Sequence, residues 1–230
     1  TLHPLVSVID LSKVDPINNM RLIFDFYVVF LKEDKNCDLL YGRQRYDYQK
    51  GSIVSLAPGQ VIGTEDTGEK FQPKGWALCF HPDLIRGTTL GRNIKEYTFF
   101  SYEVNEALHL SEKERTIIID CLEKIRYELQ QSIDRLSKRL IATNIELLLD
   151  YCLRFYERQF ITRGNVNHDI LTRFERLLDN YFIGPKAAQN GLPSVKECAN
   201  KLCLSPNYFG DLIKNCLLYT SPSPRDTERS

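Results

Sequence analysis

The feature that most constrains the fold is a pair of helix-start signals in the stretch Leu192–Asn215. Ser194 and Glu197 have the spacing of a capping box, which predicts a helix beginning there. Ser205 can cap a second helix, with Pro206 at the first helical position, where its missing N–H costs nothing. Two short helices joined by a tight turn are what a helix-turn-helix requires.

Both predicted helices carry apolar residues at helical spacing, so they can pack along a shared seam. The residues of this seam are Val195, Cys198, Ala199 and Leu202 in the first helix and Phe209, Leu212 and Ile213 in the second. Helical pairs without a role in DNA binding share this pattern. The pattern alone therefore leaves a DNA-reading unit and a purely structural pair both open.

The segment SVKECANKLCLSPNYFGDLIK resembles the first of the two helix-turn-helix units in AraC-type transcriptional regulators. The consensus of that family's second helix is matched here by Ser205, Tyr208, Phe209, Leu212 and Lys214. Because that helix enters the major groove in the family, the resemblance implies a DNA-binding surface. Its residues would be Ser205, Pro206, Asn207, Asp211 and Lys214. Family members often carry Arg where this chain has Asp211, and Asp would instead accept from a cytosine amino group.

The first half of the chain predicts short strands separated by glycine and proline turns, which is typical of a small β-barrel or sandwich. The expected strands are Leu22–Leu31, Leu39–Tyr41, Tyr46–Tyr48, Ser52–Leu56 and Trp76–His81. The blocks YDYQKGSIVSLAPGQ, GWALCFHPDLI and EYTFFSYEVNEALHLSEKE resemble the cupin-like effector domain of AraC-type regulators. This resemblance implies a ligand-sensing barrel and names no ligand.

Aromatic side chains at the mouth of such a barrel could line a pocket for a small molecule. The candidate pocket residues are Tyr27, Tyr46, Tyr48, Phe71, Trp76 and Phe80. Each of them could equally fill the core, because buried aromatics are common in protein interiors. Pocket and core both remain open on the sequence.

A metal-dependent enzyme needs several His and a carboxylate converging on one ion. The chain has four His, no HxH pair, and two of the four, His109 and His168, in the part predicted to be helical. His81, just before a proline, is interpreted as a structural histidine. No GxSxG, HExxH, P-loop or GxGxxG motif is present either. We therefore expect no catalytic site, no metal and no cofactor.

The middle of the chain predicts long helices. Ser111 and Glu114 form another capping box, followed by one apolar stripe: Ile118, Cys121, Leu122, Ile125 and Leu129. A second helix is expected over about Ile133–Phe160, with apolar positions at Leu136, Leu140, Leu147, Leu148, Cys152 and Phe155, and a third from Asn167 or His168. Such stripes can cover the barrel or pair with a second subunit, and physics leaves both open. The resemblance favours a homodimer through Ser111–Gln131.

Composition limits the partners. Lys plus Arg number 30 and Asp plus Glu number 30, so the whole chain has no strong non-specific attraction to phosphate. The seven cysteines are scattered without a CxxC pair, which indicates buried thiols in a reducing compartment. With no secretory signal and no apolar run of about 18 residues, we expect a cytoplasmic protein that does not enter a membrane.

The expected fold class is α+β. We expect a cupin-like β-barrel over 1–110, a helical dimerisation and packing region over 111–182, a linker over 183–191, the first helix-turn-helix over 192–216 and a disordered tail over 217–230. The tail combines serine, proline and alternating charge, cannot bury a core, and looks foreign to the fold. The family's second helix-turn-helix would then be missing, and DNA binding would be weak.

The function expected from these observations is sequence-specific regulation of transcription. The expected partners are double-stranded DNA, a small-molecule effector and a second copy of the chain. The alternative is a ligand-binding or dimerisation protein without a DNA role.

Overall fold

The computed structural model describes residues 3–16, 21–33, 39–41, 44–46, 51–64, 70, 72–103, 106–162, 164–183 and 191–220. The chain divides into two compact units, Thr1–Phe155 and Tyr156–Ser230. All described strands belong to the first unit, and the described part of the second unit is helical. The region expected over 111–182 is thus divided between the two units.

The first unit is built around a five-stranded antiparallel sheet. Its strands are β1 (Val6–Asp10), β3 (Tyr27–Lys32), β6 (Ser52–Leu56), β8 (Gly75–Phe80) and β9 (Leu108–His109). They lie in the order β1-β8-β3-β6-β9. The predicted strands over 52–56 and 76–81 are confirmed within one residue, whereas β1 was not predicted. His109, expected in a helical region, lies on the edge strand β9.

A second antiparallel sheet contains four short strands. These are β2 (Arg21–Ile23), β4 (Leu39–Tyr41), β5 (Gln44–Tyr46) and β7 (Val61–Thr64), in the order β2-β7-β4-β5. The α+β class is confirmed, but the described strands form two separate sheets, and a closed cupin barrel is not shown. The predicted strand Tyr46–Tyr48 overlaps β5 only at Tyr46, because residues 47 and 48 lie outside the described part.

The prediction of one strand over Leu22–Leu31 is wrong. β2 ends at Ile23 and β3 begins at Tyr27, and the two strands belong to different sheets. Between them the Phe24 carbonyl accepts a hydrogen bond from the Gly59 N–H at 2.8 Å, and Asp25 is exposed. The polar residue Asp25 thus marks the bend inside the apolar run. The mean hydropathy of the run does not reveal it.

Both faces of the five-stranded sheet are covered. On one face the Tyr27 ring stacks on Phe80 at 5.1 Å and meets Phe100 at 4.9 Å. The other face carries a cluster of buried residues, Val28, Val54, Leu56 and Ala107, against which Phe24, Phe26, Phe30 and Cys79 pack. Because both faces are apolar, these strands lack a simple polar–apolar alternation.

Four described α-helices accompany the strands of the first unit. They are α1 (Pro82–Ile85), α2 (Thr89–Asn93), α3 (Glu112–Gln130) and α4 (Ser137–Thr162), and the boundary between the units falls inside α4. The capping box of Ser111 and Glu114 at the start of α3 is confirmed. His81 caps α1 by accepting the Asp83 N–H at 3.1 Å, which agrees with its interpretation as structural.

The second unit contains α5 (Gly164–Ile183), α6 (Val195–Leu202) and α7 (Pro206–Thr220). The expected disordered tail over 217–230 is wrong as far as Thr220, because α7 continues through Leu217, Leu218 and Tyr219 with no Gly or Pro to end it. Residues 221–230 and 184–190, which hold the rest of the expected tail and most of the expected linker, lie outside the described residues. None of the described helices is both long and apolar enough to cross a membrane.

Candidate nucleic-acid interface

The start of α6 is fixed by the predicted capping box. The Ser194 hydroxyl accepts the Glu197 N–H at 3.2 Å, and the Glu197 carboxylate accepts the Ser194 N–H at 2.9 Å. Both groups satisfy backbone donors that the helix itself leaves without partners. The carboxylate also lies at the positive end of the helix dipole, so its charge adds to the stability of this end.

The turn between α6 and α7 is a Schellman motif. The Leu204 N–H donates to the Ala199 carbonyl at 3.0 Å, and the Cys203 N–H donates to the Asn200 carbonyl at 3.2 Å. This geometry requires a left-handed residue after the helix, and Cys203 adopts it with φ of 59°. The predicted turn between the helices is therefore confirmed, but its left-handed residue was not predicted, because glycine is the usual residue at such a position.

The predicted cap of α7 is confirmed, and it changes the interpretation of Ser205. The Ser205 hydroxyl accepts the Tyr208 N–H at 3.3 Å, and the side chain is only 4% exposed. We predicted that Ser205 belongs to the DNA-binding surface, but its burial removes it from that surface. Its role is to start the helix whose other residues are displayed.

A compact apolar cluster holds the two helices together. Its buried members are Cys198, Ala199, Leu202 and Phe209, and Leu212 is also fully buried. The small side chain of Ala199 allows the helices to approach closely at the crossing. Of the predicted seam, Val195 is the exception, since it is 56% exposed. The bent helical pair predicted from the sequence is otherwise confirmed.

The third helix of this cluster is α5, which the sequence analysis had assigned to a different region. Ile170, Phe174 and Leu177 pack against the cluster, and the Phe174 ring meets Phe209 edge to face at 5.0 Å. At the end of α5, the Tyr181 hydroxyl donates to the Gly191 carbonyl at 3.0 Å. The helical pair of α6 and α7 therefore rests on a three-helix core within the second unit.

This core leaves a polar edge of α7 at the surface. Pro206, Asn207 and Lys214 are exposed and Asp211 is half-buried. Residues 207, 211 and 214 are separated by four and then three positions, so they share one face of the helix. The edge offers an amide, a carboxylate and an ammonium group, which are side chains that hydrogen-bond base edges and phosphates. Lys196 and Lys201 of α6 are exposed as well.

Three of the six predicted ligand-pocket residues, Tyr27, Trp76 and Phe80, have side chains that the structure describes. Tyr48 and Phe71, and the side chain of Tyr46, lie outside the described residues. Phe80 is fully buried and belongs to the core, and it stacks on Tyr27, which is half-buried. Trp76 lies four residues before Phe80 in β8, roughly 13 Å from it at the usual rise of a strand. Its ring lies beneath the Arg126 guanidinium at 5.3 Å.

The predicted dimerisation stripe on α3 faces the interior of its own unit. Ile118, Cys121, Leu122 and Ile125 are buried, and only Leu129 is partly exposed. The cation–π contact between Arg126 and Trp76 places this helix against the sheet. Covering the sheet was the other alternative for this stripe. Buried side chains of this kind are not available to a second subunit.

Thiols and possible metal ligands add no second site in the part of the chain that the structure describes. Burial raises the pKa of the Cys79 thiol to about 11 and that of the Cys152 thiol well above its ordinary value. Such thiols stay protonated and react slowly near neutral pH. Among the described residues, no group of three or more His, Cys, Asp and Glu side chains is placed to hold a metal ion.

No family model matches the chain, and no curated protein matches its sequence. Among solved structures, apo ToxT K231A from Vibrio cholerae strain SCE256 matches with a TM-score of 0.35 and 12% identity, over 91% of this chain and 92% of that chain. A TM-score this low does not establish a shared architecture, so the functional argument depends on the geometry of the second unit.

Proposed function

We propose that the second unit binds double-stranded DNA, with α7 as the helix that enters the major groove, and that the chain regulates transcription as an AraC-type regulator does. The observation that carries this is the polar edge of exposed Asn207, half-buried Asp211 and exposed Lys214 on a helix fixed by a three-helix core. A recognition helix needs both properties, because base contacts lose their specificity when the helix that carries them can move.

The chemistry of the edge assigns a role to each of the three side chains. The Asn207 amide can form two hydrogen bonds with adenine, and the Asp211 carboxylate can accept from the cytosine amino group. Lys214 supplies a cation for a phosphate or a guanine, and Lys196 and Lys201 supply further cations on α6. The net charge of the whole chain is zero, so attraction to DNA must come from these local groups.

The sensing role of the first unit, its cupin-like barrel, its cytoplasmic location and the second copy of the chain are further parts of this proposal. They rest on the sequence resemblance of the N-terminal blocks. A small effector that binds the first unit would stabilise the chain by mass action, so a rise in melting temperature with effector concentration would support sensing.

The DNA proposal is tested by fluorescence anisotropy with a duplex from the region upstream of the gene and a scrambled duplex of equal length. We expect tighter binding to the first duplex and an affinity that falls as salt rises. Asn207→Ala should lower the preference for the first duplex, by about 1–3 kcal/mol if the amide reads a base. Lys214→Ala should weaken binding to both duplexes and reduce the salt slope by about 1 if it contacts a phosphate.

The matched control is Lys113→Ala, since Lys113 is an exposed lysine on α3 in the first unit. It should leave both affinities unchanged. Binding that ignores salt, or that responds equally to the lysine changes at 113 and 214, would contradict the proposed interface. No binding to either duplex would favour the alternative class, a protein without a DNA role.

A further inference from the structure

Gly210 lies inside α7, where a glycine weakens the helix that carries it. Inside a helix, glycine is less favourable than alanine by about fivefold in the folding equilibrium. Two structural reasons can offset this cost. One is a left-handed backbone that only glycine adopts easily, and the other is a neighbouring atom so close that a Cβ would not fit.

The other glycines whose surroundings the structure describes each have one of these two reasons. Gly91 is the matched comparison because it also lies in a helix, and an added Cβ there would clash with the Ile85 carbonyl oxygen. Positive φ explains the rest: Gly51, Gly59, Gly75, Gly87 and Gly191. Gly210 does not have positive φ, and no described atom lies within 4 Å of an added Cβ. The described contacts within the chain therefore do not account for this glycine.

Gly210 lies at the centre of the exposed side of α7. At 3.6 residues per turn it points about 160° away from Leu212, which is fully buried in the core. Asn207 lies three residues before it and Lys214 four residues after it, so both are its neighbours on the helix surface, and both are exposed. A base pair that contacts this edge of the helix therefore meets Gly210.

The surface at Gly210 is apolar. Its neighbours on the side away from Asn207 and Lys214 are Pro206, which is exposed, and Ile213, which is half-buried. The backbone amides inside a helix are hydrogen-bonded along the helix, so the Cα of Gly210 is what remains for contact. We call Pro206, Gly210 and Ile213 together the Gly210 depression, since its central position has no side chain.

We propose that the Gly210 depression receives the 5-methyl group of a thymine, so that Gly210 helps to determine which DNA sequence is bound. This rests on the proposed function, because α7 must enter the major groove for the contact to form. The thymine methyl is the apolar group that base edges present in that groove. A polar base edge at the same place would lose water without gaining a hydrogen bond.

The proposal explains the missing side chain. A Cβ on Gly210 would occupy the space that the thymine methyl fills in the complex. Gly210→Ala adds to the protein one methyl group, and replacing thymine by uracil removes one from the DNA. The two changes should therefore compensate each other, which a purely structural role for the glycine does not predict.

Urea unfolding of the full chain tests the premise. Gly210→Ala should lower the unfolding equilibrium constant about fivefold, because alanine is the better helix former and the added Cβ meets no described atom. A less stable variant would show that the folded chain itself needs this glycine, and would overturn the proposal. The matched control is Asn180→Ala, at an exposed and uncharged position of α5. It should also stabilise the chain, by up to about threefold, and leave the affinity for DNA unchanged.

Fluorescence anisotropy tests the contact, with the duplex from the region upstream of the gene and copies in which single thymines are replaced by uracil. For the native chain, uracil at the contacted position should weaken binding about three- to fivefold, the effect of one buried methyl group. Gly210→Ala should weaken binding to the thymine duplex by at least about tenfold, because two methyl groups then compete for one space. This variant should bind the copy with uracil at that position more tightly than the thymine duplex, which reverses the native preference.

Failure of this inference and failure of the proposed function give different results. A native chain that binds neither the upstream duplex nor the scrambled one overturns both. A native chain that binds the upstream duplex with the expected salt dependence, but is indifferent to uracil at every position, overturns this inference alone. The same holds if Gly210→Ala keeps the native preference throughout, or if Asn180→Ala produces the same reversal. A reversal at one thymine position, produced by Gly210→Ala and absent in the control, supports the proposal.

Discussion

The rings of Phe174 and Phe209 meet edge to face, with centroids 5.0 Å apart and planes inclined by 75°. This contact joins α5 to the helix proposed to read DNA. We predict that Phe209→Ala destabilises the second unit by about 3–5 kcal/mol and that Phe174→Ala, at a partly buried site, costs less.

A double-mutant cycle in urea measures the contact itself. The double variant should be less destabilised than the two single changes predict together, by about 0.5–1.5 kcal/mol, because the ring pair is lost only once. Strict additivity would show that the two rings do not interact in solution.

The left-handed Cys203 predicts a stabilising substitution. A side chain with a Cβ pays roughly 1–2 kcal/mol for this conformation, and glycine avoids that cost while losing part of the gain through its freer unfolded chain. Cys203→Gly should therefore raise the free energy of unfolding by up to about 1 kcal/mol. Cys203→Ala should change it little, and Cys203→Val should lower it. A glycine variant less stable than the alanine variant would show that the turn does not need this conformation.

Alanine substitutions at Gly75 and Gly87 distinguish two causes of destabilisation: an unfavourable backbone conformation and a steric clash of the added Cβ. Gly75 has φ of 124°, and an added Cβ would lie 2.0 Å from the Leu31 carbonyl oxygen, whereas Gly87 has φ of 81° with nothing within 4 Å of such a Cβ. Gly75→Ala should therefore disrupt the pairing of β8 with β3 and cost several times as much as Gly87→Ala, whose penalty is that of the left-handed region, about 1–2 kcal/mol. Equal losses in thermal unfolding would contradict the close approach at Gly75.

The buried thiol of Cys79 predicts a loss of stability at alkaline pH. Burial raises its pKa from an ordinary 9.0 to about 11, so the folded chain keeps a proton that the unfolded chain releases between these values. Stability from this group is therefore complete below pH 9 and declines as the pH rises toward 11. Cys79→Ala should reduce this decline when urea midpoints at pH 8 and pH 10.5 are compared.

Thiol labelling gives an independent readout of the same burial. At pH 8 the exposed Cys203 should react with a maleimide well before Cys79 or the fully buried Cys152. Mass spectrometry of a labelling time course assigns the order. Early modification of Cys152 would show that α4 leaves its core more often than its burial indicates.

The parts of the structure that were predicted from the sequence depend on contacts between near neighbours. The capping boxes at Ser111 and Ser194 and the Ser205 cap are examples, since donor and acceptor lie within three residues. The seam of α6 and α7 follows from spacing for the same reason.

The errors at the predicted sites concern the surroundings of an element rather than its type. Helical periodicity shows that Leu136, Leu140 and Leu147 share a face, but it does not show whether that face points toward the core. In the structure all three are exposed. Similarly, the α3 stripe could have been turned inward or toward a partner, and only the position of Trp76 beneath Arg126 places it against the sheet. Ser205 is no longer part of the proposed DNA-binding surface, because a cap side chain can be buried by the helix that it starts.

The placement of α5 beside α6 and α7 limits how the protein can be cut for study. A fragment that begins at Leu192 would lack Phe174, and its two short helices would have to fold without the third wall of their core. One that begins near Tyr156 retains α5 and also Phe160, whose ring lies 5.1 Å from that of Tyr208. An independently folding piece should therefore begin about 36 residues before Leu192, at the start of the second unit.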